Sequence, residues 1–394
     1  MSDRYITINP EKKQKVYIDV SIMEQLLFFT GIQRVVKEIV LQLYKYDDIE
    51  LVFLDYNEKK RAYKRVSNVK FMNSLRKGEY SSGKESDNRK IIFPSEIEAG
   101  SIFFELDATW ICRLKRSYLY PLLKKNDVKI IVHFYDLICI THPQFFEDRL
   151  INKFMDYAGA AIQYADKIIC NAEATRRDIM DVAEAMGVMP PNNIEVVPLG
   201  ANFTEYAIDD RSISDEIRGA VEGNKYILMV GTIEPRKNHK LILDAYDKGL
   251  KNLGYNIILA GNPGWKNEDF MNRLIGHPDF GKRIFLFEKQ PDYIIDYLYK
   301  NARFVAFLSY KEGFGLPIIE ALAKGVPVIA TDTAINKEIG GDKCIFFSQD
   351  DAEGLCRRIQ QIDDDSYNTI KDNLNGFTYC TWDLAGQKMK NAIT

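Results

Sequence analysis

The sequence predicts an α/β protein of two Rossmann-like, doubly wound domains that face each other across a cleft. Its 394 residues suffice for two domains that each bury a core of their own. In both halves, short apolar runs alternate with segments of helical periodicity, as in parallel sheets covered by helices. A polar, weakly periodic stretch separates the halves. We therefore predict an N-terminal domain over 1–205, a linker over 206–223, a C-terminal domain over 224–375, and a final crossover helix over 376–394 that packs back on the N-terminal domain.

The N-terminal half contains six apolar runs that read as strands. These are Lys15–Ile22, Leu51–Tyr56, Ser101–Asp107, Lys129–Asp136, Lys167–Ala172 and Ile194–Gly200. Helical periodicity begins at Thr30 and recurs over Arg113–Lys125 and Thr175–Gly187. Residues 57–99 are charged and lack an apolar period, so we predict a long irregular segment there.

The C-terminal half repeats the alternation of strand and helix. Its predicted strands are Lys225–Thr232, Tyr255–Gly261, Arg283–Lys289, Phe304–Ser309 and Val326–Asp332. Each is short and apolar on both faces, which is typical of a buried parallel strand. A second doubly wound sheet follows from this pattern.

Composition excludes several classes of protein. The chain is 46% hydrophobic and 28% charged with a net charge of −3, so it has no global attraction for nucleic acid and we expect no such partner. We see no apolar run of the roughly 18 residues that span a bilayer and no apolar signal-peptide core, so a cytosolic location is expected. The six cysteines are scattered without a C-x-x-C pair, which argues against a zinc cluster or a disulfide framework.

The segment EGFGLPIIE is the most informative motif, because two carboxylates flank a glycine turn directly after a predicted strand. Glycines 313 and 315 allow close approach of the backbone to a ligand, and Pro317 suits the first turn of a helix over Pro317–Lys324. The free amides at such a helix start attract a phosphate or diphosphate. Glu312 and Glu320 would repel that anion, but they accept hydrogen bonds from hydroxyl groups such as those of a sugar or a ribose.

Each acidic motif also has an interpretation without a ligand site. Acidic residues near a helix start can simply offset its dipole. The segment also resembles a dinucleotide fingerprint, but the third glycine is missing and the position is far along the chain. Asp363 and Asp365 form an Asp-x-Asp pattern in a polar run, which we interpret as a solvated loop, and we expect no divalent metal. The spacing of His142, His239 and His277 does not fit a metal site.

Three segments resemble the retaining family 4 glycosyltransferases of the GT-B fold: VGTIEPRKNHKLILDAY from Val230, EGFGLPIIEALAKGVPVIATD from Glu312, and YCTWDLA from Tyr379. In the first half, TGIQRVV, ELDATW, YDLICITHPQFF and CNAEATRRDI are similar to bacterial members that build cell-surface polysaccharide. The resemblance implies an N-terminal domain that binds the acceptor and a C-terminal domain that binds a nucleotide sugar. It also implies transfer of a hexose, with GDP-mannose favoured, in O-antigen or capsule assembly.

The resemblance also implies roles for matching residues. Glu312 would contact hydroxyls of the donor sugar, Glu320 would bind the ribose, and Lys237 would neutralise the departing diphosphate. Relatives often carry arginine where this chain has Thr232, so we expect Arg236 to serve instead. The remaining donor contacts implied are the backbone of Gly313, Phe314, Gly315 and Leu316, a flexible turn at Gly31, and a nucleobase site around Phe287, Glu288 and Lys289.

In the N-terminal domain, relatives place a histidine or an acid near the sugar. His133 and Asp136 are the candidates here, although a lone strand histidine can equally be a core residue. Strand alternation puts His133 and Tyr135 on one face and Asp136 on the other, unless the strand ends at Phe134.

The mechanism implied is front-face attack by the acceptor hydroxyl, with the leaving diphosphate taking the proton. The implied acceptor is a glycan or a polyprenyl-linked oligosaccharide. The enzyme would bind it while its basic N-terminal half contacts the inner membrane. Two alternatives stay open. A GT-B sugar-nucleotide epimerase would convert the donor without an acceptor, and a non-catalytic sugar-nucleotide sensor would bind it without turnover.

Overall fold

The computed structural model describes residues 13–25, 31–77, 90–201 and 213–394. Two sheets, each covered by helices on both faces, form two domains. This is the predicted α/β architecture of paired Rossmann-like domains.

The N-terminal sheet has eight strands in the order β4-β3-β2-β1-β5-β6-β7-β8. Strand β3 runs antiparallel to both neighbours, and the other neighbouring pairs are parallel. The domain comprises β1 (Gln14–Asp19), α1 (Gly31–Leu43), β2 (Ile49–Asn57), β3 (Ala62–Arg65), α2 (Asn68–Lys77), β4 (Ile91–Ile92), β5 (Ile102–Glu105), α3 (Arg116–Lys125), β6 (Lys129–Phe134), α4 (Ile138–Thr141), α5 (Asp148–Tyr164), β7 (Lys167–Cys170), α6 (Glu173–Met186) and β8 (Ile194–Val196).

The C-terminal sheet has six parallel strands in the order β11-β10-β9-β12-β13-β14. The chain order reverses between β9 and β12, and open α/β sheets bind ligands beyond the carboxyl ends of the strands at such a reversal. The elements are α7 (Asp215–Val221), β9 (Tyr226–Val230), α8 (His239–Ala245), β10 (Asn256–Ala260), α9 (Glu268–Ile275), β11 (Ile284–Phe287), α10 (Asp292–Asn301), β12 (Phe304–Phe307), α11 (Leu316–Ala323), β13 (Val328–Thr331), α12 (Ala334–Gly340), β14 (Cys344–Phe347), α13 (Ala352–Gln360), α14 (Asp364–Asp372) and α15 (Trp382–Ile393).

The last helix, α15, returns to the N-terminal domain, as predicted. Its Gly386 lies so close to α1 that an added Cβ would be 2.3 Å from the Cβ of Gln42. Trp382 is buried in the N-terminal core, and Lys390 pairs with Asp48 at 2.7 Å. Burial of apolar surface on α15 therefore ties the end of the chain to its beginning.

Two expectations about secondary structure are wrong. Residues 57–99 are not one irregular segment, because they contain β3, α2 and β4; residues 78–89 lie outside the described part. The apolar face of α2 consists of three buried side chains among charged neighbours, Phe71, Met72 and Leu75. Three apolar residues are too few to reveal a helical periodicity in the sequence. The sequence analysis also missed β14 at the sheet edge, where three of the four residues are half-buried and only Phe347 is buried.

The described residues of the predicted linker pack into the C-terminal domain. Residues 213–223 contain α7, which buries Ile217, Ala220 and Val221 in the C-terminal core. Thr30 and residues 202–212 lie outside the described part of the chain. Among the helices that the structure describes, none is long and apolar enough to cross a membrane.

Candidate active site

The candidate site lies where the loops after β9 and β12 meet, at the reversal of the C-terminal sheet. The loop after β9 carries Arg236 and Lys237, and the loop after β12 carries Glu312. The amide of Tyr310 donates to the carbonyl of Arg236 at 2.9 Å, which fixes the two loops against each other. Residues far apart in sequence thus lie together beyond the strand ends, where open α/β sheets bind their ligands.

Glu312 is held by both cations. Nζ of Lys237 lies 2.5 Å from its Oε1, and Nη1 of Arg236 lies 2.7 Å from its Oε2. Arg236 also pairs with Glu234 at 2.5 Å and donates to the carbonyl of Lys311 at 3.0 Å. The structure therefore brings together three predicted site residues and adds Glu234, which the sequence analysis did not single out.

Burial and charge act in opposite directions on this cluster. Burial alone would raise the pKa of Glu312, which is 9% exposed, but the charges of Arg236 and Lys237 outweigh it and lower the pKa to about 2. For Arg236, burial lowers the pKa, and the carboxylates of Glu312 and Glu234 more than offset it, so the net shift is upward. Glu312 is therefore ionised at neutral pH.

The glycine turn is pressed against the N-terminal domain. A Cβ on Gly313 would lie 2.2 Å from the carbonyl oxygen of Tyr135, so only glycine fits. Thr175 donates its hydroxyl to the carbonyl of Gly313 at 3.0 Å. Gly315 adopts φ 101°, a left-handed conformation that favours glycine, and α11 begins directly after it. The turn thus places the amides at the start of α11 at the seam between the domains.

The side chain of Phe314 packs into the N-terminal domain. It is buried in the N-terminal core cluster, with Leu316 packed against that cluster. Both side chains contribute to contact between the domains, which leaves their backbone groups for the predicted diphosphate contact.

Glu320 is 2% exposed and bonded on both oxygens. Nη1 of Arg34, from α1 of the N-terminal domain, lies 2.6 Å from Oε1, and the hydroxyl of Tyr299 donates to Oε2 at 2.9 Å. Both acids of the motif therefore lie inside the protein at the cleft. Arg34 and Tyr299 were not identified from sequence; Arg34 lies in the quoted TGIQRVV segment, which was the available signal for it.

His133 and Asp136 occupy different environments. Strand β6 ends at Phe134, so Asp136 lies on the following loop, with its Cβ 2.8 Å from where a Cβ on Gly313 would be. Burial raises the pKa of Asp136, and Arg236 partly offsets that rise. His133 is buried beside Tyr135, with ring centroids 4.6 Å apart, and burial lowers its pKa to about 3. His133 is therefore neutral, whereas Asp136 accepts from the amide of Ile138 at 3.0 Å and lies near enough to Arg236 to feel its charge.

Comparison with known proteins supports this assignment of fold. Residues 210–374 match the family model described as glycosyl transferases group 1. The match covers less than half of the chain and falls on the C-terminal domain. The serotype-specific mannosyltransferase WbdA of Escherichia coli is 25% identical over 391 residues, covering 93% of this chain and 44% of the relative. The O-antigen chain mannosyltransferase B of Escherichia coli is 26% identical over 287 residues, covering 70% of this chain and 74% of the relative. The chain thus spans less than half the length of WbdA.

Solved structures show the same two-domain architecture. The structure of Anabaena HepE in complex with UDP-glucose has a TM-score of 0.66 at 15% identity and covers 96% of this chain and 98% of its own. WaaG, described as a glycosyltransferase involved in lipopolysaccharide biosynthesis, has a TM-score of 0.59 at 16% identity and covers 96% of this chain and 99% of its own. The predicted fold of two Rossmann-like domains is confirmed.

The other residues predicted to bind the donor have separate surroundings. Thr232 packs its methyl group near Gly264, where an added Cβ would be 2.8 Å away. The ring of Phe287 is buried against Phe285, so that side chain offers no face to a base, while Glu288 beside it is exposed. Gly31 is exposed at the start of α1.

The acidic Asp-x-Asp pattern has a structural explanation. Asp363 caps α14 by accepting from the amide of Ser366 at 2.8 Å, and Asp365 lies in the first turn of that helix. Among residues 13–25, 31–77, 90–201 and 213–394, no three histidine, cysteine or acidic side chains group as metal ligands would.

Proposed function

We propose that this protein is a retaining family 4 glycosyltransferase that moves a hexose from a nucleotide-sugar donor to a glycan or polyprenyl-linked oligosaccharide. GDP-mannose is the donor that we favour, and assembly of O-antigen is the process. The observation that carries the proposal is the buried ion cluster of Glu312, Arg236 and Lys237 at the reversal of the C-terminal sheet. Strongly perturbed charges in a crevice are typical of functional sites.

The cluster suits a donor that combines hydroxyl groups with a diphosphate. Ionised Glu312 accepts hydrogen bonds and suits sugar hydroxyls, whereas Lys237, Arg236 and the amides at the start of α11 suit phosphate oxygens. HepE, which shares the fold, was crystallised with UDP-glucose. The mannosyltransferase names of WbdA and O-antigen chain mannosyltransferase B support mannose as the sugar.

The chemistry that we propose needs no protein nucleophile. The acceptor oxygen attacks the anomeric carbon from the face that the diphosphate leaves, the bond from carbon to phosphate oxygen breaks, and the acceptor proton passes to a leaving phosphate oxygen. Lys237 and Arg236 stabilise the charge that develops on that group, which is the principal catalytic contribution. With two cations in place, we expect transfer without a divalent metal.

The place of action is part of the proposal. The activated sugar is cytosolic in such a reaction, and a polyprenyl-linked acceptor would bring the enzyme to the inner membrane surface. Exposed basic residues near β3, including Lys59, Lys60 and Arg61, are the candidates for contact with anionic lipid headgroups.

Thermal unfolding with a panel of GDP-mannose, UDP-hexoses and dTDP-rhamnose tests the proposal. A donor at 100 times its dissociation constant should stabilise the protein by about 2.7 kcal/mol. Transfer from the stabilising donor to a lipid-linked acceptor is then measured. Absence of stabilisation by every donor would refute the proposal. An epimerised sugar nucleotide without acceptor would indicate the isomerase, and binding without turnover would indicate the sensor.

A further inference from the structure

Arg34 crosses the cleft to reach Glu320. It projects from α1 of the N-terminal domain, 286 positions away in sequence, and its Nη1 lies 2.6 Å from Oε1 of Glu320. The arginine side chain is 22% exposed and the glutamate side chain 3%. A pair this sheltered from water is screened less by salt than a surface ion pair, and it exists only while the two domains are in contact.

The geometry leaves Glu320 able to accept two more hydrogen bonds. Among the described residues, Oε1 receives Arg34 and Oε2 receives the hydroxyl of Tyr299. An ionised carboxylate offers about four acceptor positions on its two oxygens, so about two remain. Two neighbouring hydroxyl groups, such as those of a ribose, match that number.

The start of α1 is itself anchored. Gln33, next to Arg34, is buried and donates to Asp107 at 3.2 Å, and the same carboxylate accepts from the amide of Met23 at 3.0 Å. Asp107 thereby joins α1 to the loop after β1. Arg34 therefore extends from a fixed point of the N-terminal domain.

We propose that Arg34 is a positioning residue of the donor site, which orients the carboxylate of Glu320 toward the two ribose hydroxyls of a nucleoside diphosphate only when the domains are closed. The inference rests on the proposed function, because it takes the crevice to be a nucleotide-sugar site. Its consequence is that recognition of the ribose depends on a residue of the opposite domain.

Calorimetric binding of GDP, UDP and their 2′,3′-dideoxy analogues tests this role. Wild-type protein should prefer the ribonucleotide. Arg34→Gln should weaken ribonucleotide binding about tenfold, the equivalent of one hydrogen bond to a charged group, and should weaken dideoxynucleotide binding less than about twofold. Arg34→Lys should restore part of the preference, since it keeps the charge. In a Glu320→Gln background, Arg34→Gln should have no further effect.

The matched control is Glu338→Ala, which removes a different contact between the domains. Glu338 accepts from the amides of Glu173 at 2.6 Å and Ala174 at 2.9 Å. We expect Glu338→Ala to change the affinities for ribonucleotide and dideoxynucleotide by the same factor. An equal effect of Arg34→Gln on both ligands would overturn the positioning role, as would wild-type protein that does not discriminate between them.

Failure of the proposed function gives a different result. Wild-type protein that binds neither GDP nor UDP would refute the nucleotide-sugar site and the role of Arg34 together. If Arg34→Gln does not fold, Arg34→Lys carries the same comparison: a reduced preference for the ribonucleotide with an unchanged melting temperature supports the positioning role, and an unchanged preference would overturn it. Equal weakening of both ligands by Arg34→Lys would overturn the inference.

Discussion

Replacing Glu312 by glutamine keeps the shape of the side chain and removes its charge. The two cations bring the pKa of Glu312 from 4.5 to about 2. At about 1.4 kcal/mol per pKa unit, the carboxylate contributes about 3 kcal/mol to the free energy of unfolding at neutral pH. Because the folded pKa lies below the unfolded one, this contribution is present above pH 4.5 and is lost as the pH falls toward 2.

Urea unfolding followed by tryptophan fluorescence and circular dichroism measures the effect. Glu312→Gln should lower the free energy of unfolding by about 3 kcal/mol at pH 7. At pH 4, the difference in this free energy between variant and wild type should be about 1 kcal/mol smaller than at pH 7. The control is Glu268→Gln at the exposed start of α9, which should stay within about 0.5 kcal/mol.

The same variant separates stability from chemistry. With a donor that binds, Glu312→Gln should reduce hexose turnover far more than nucleotide affinity, since the nucleotide is bound by other groups. Equal stability changes in the two variants, or a difference from wild type that widens on acidification, would refute the reasoning about the ion cluster. Unchanged turnover would remove Glu312 from the donor-sugar site.

Three further predictions address other parts of the site. Lys237→Ala should lower kcat about a hundredfold or more, because it removes a cation from the leaving group, whereas Lys240→Ala on the exposed side of α8 should not; steady-state kinetics decides. Gly313→Ala should abolish transfer and lower the melting temperature, because its Cβ would lie 2.2 Å from a carbonyl oxygen, while Gly219→Ala, with open space around it, should be neutral or stabilising. His133 is held neutral with a pKa of about 3, below the value near 6.5 in the unfolded chain, so stability falls as the pH drops below 6.5. Between pH 7 and pH 5, the free energy of unfolding should therefore fall by about 2 kcal/mol less for His133→Leu than for wild type, as measured by urea titration. An equal fall in both proteins would contradict this.

Local periodicity sufficed for most of the fold. The strand Phe304–Phe307 was predicted from a run of apolar residues, and α11 began within one residue of its predicted start because Gly315 and Pro317 mark that boundary chemically. Where apolar residues were few, as in α2, or half-exposed, as in β14, the same reasoning failed. In those places packing against the rest of the domain decides the conformation.

The sequence by itself determined that two acids flank a glycine turn at the end of a buried strand, since spacing, strand burial and turn chemistry are properties of neighbouring residues. Only the tertiary structure decided which groups meet those acids. Glu312 meets cations from the loop after β9, and Glu320 meets Arg34 from the other domain, 286 positions away. Those partners depend on the order of strands in the sheet and on the contact between the two domains. Neither of these features can be read from a short segment of the chain.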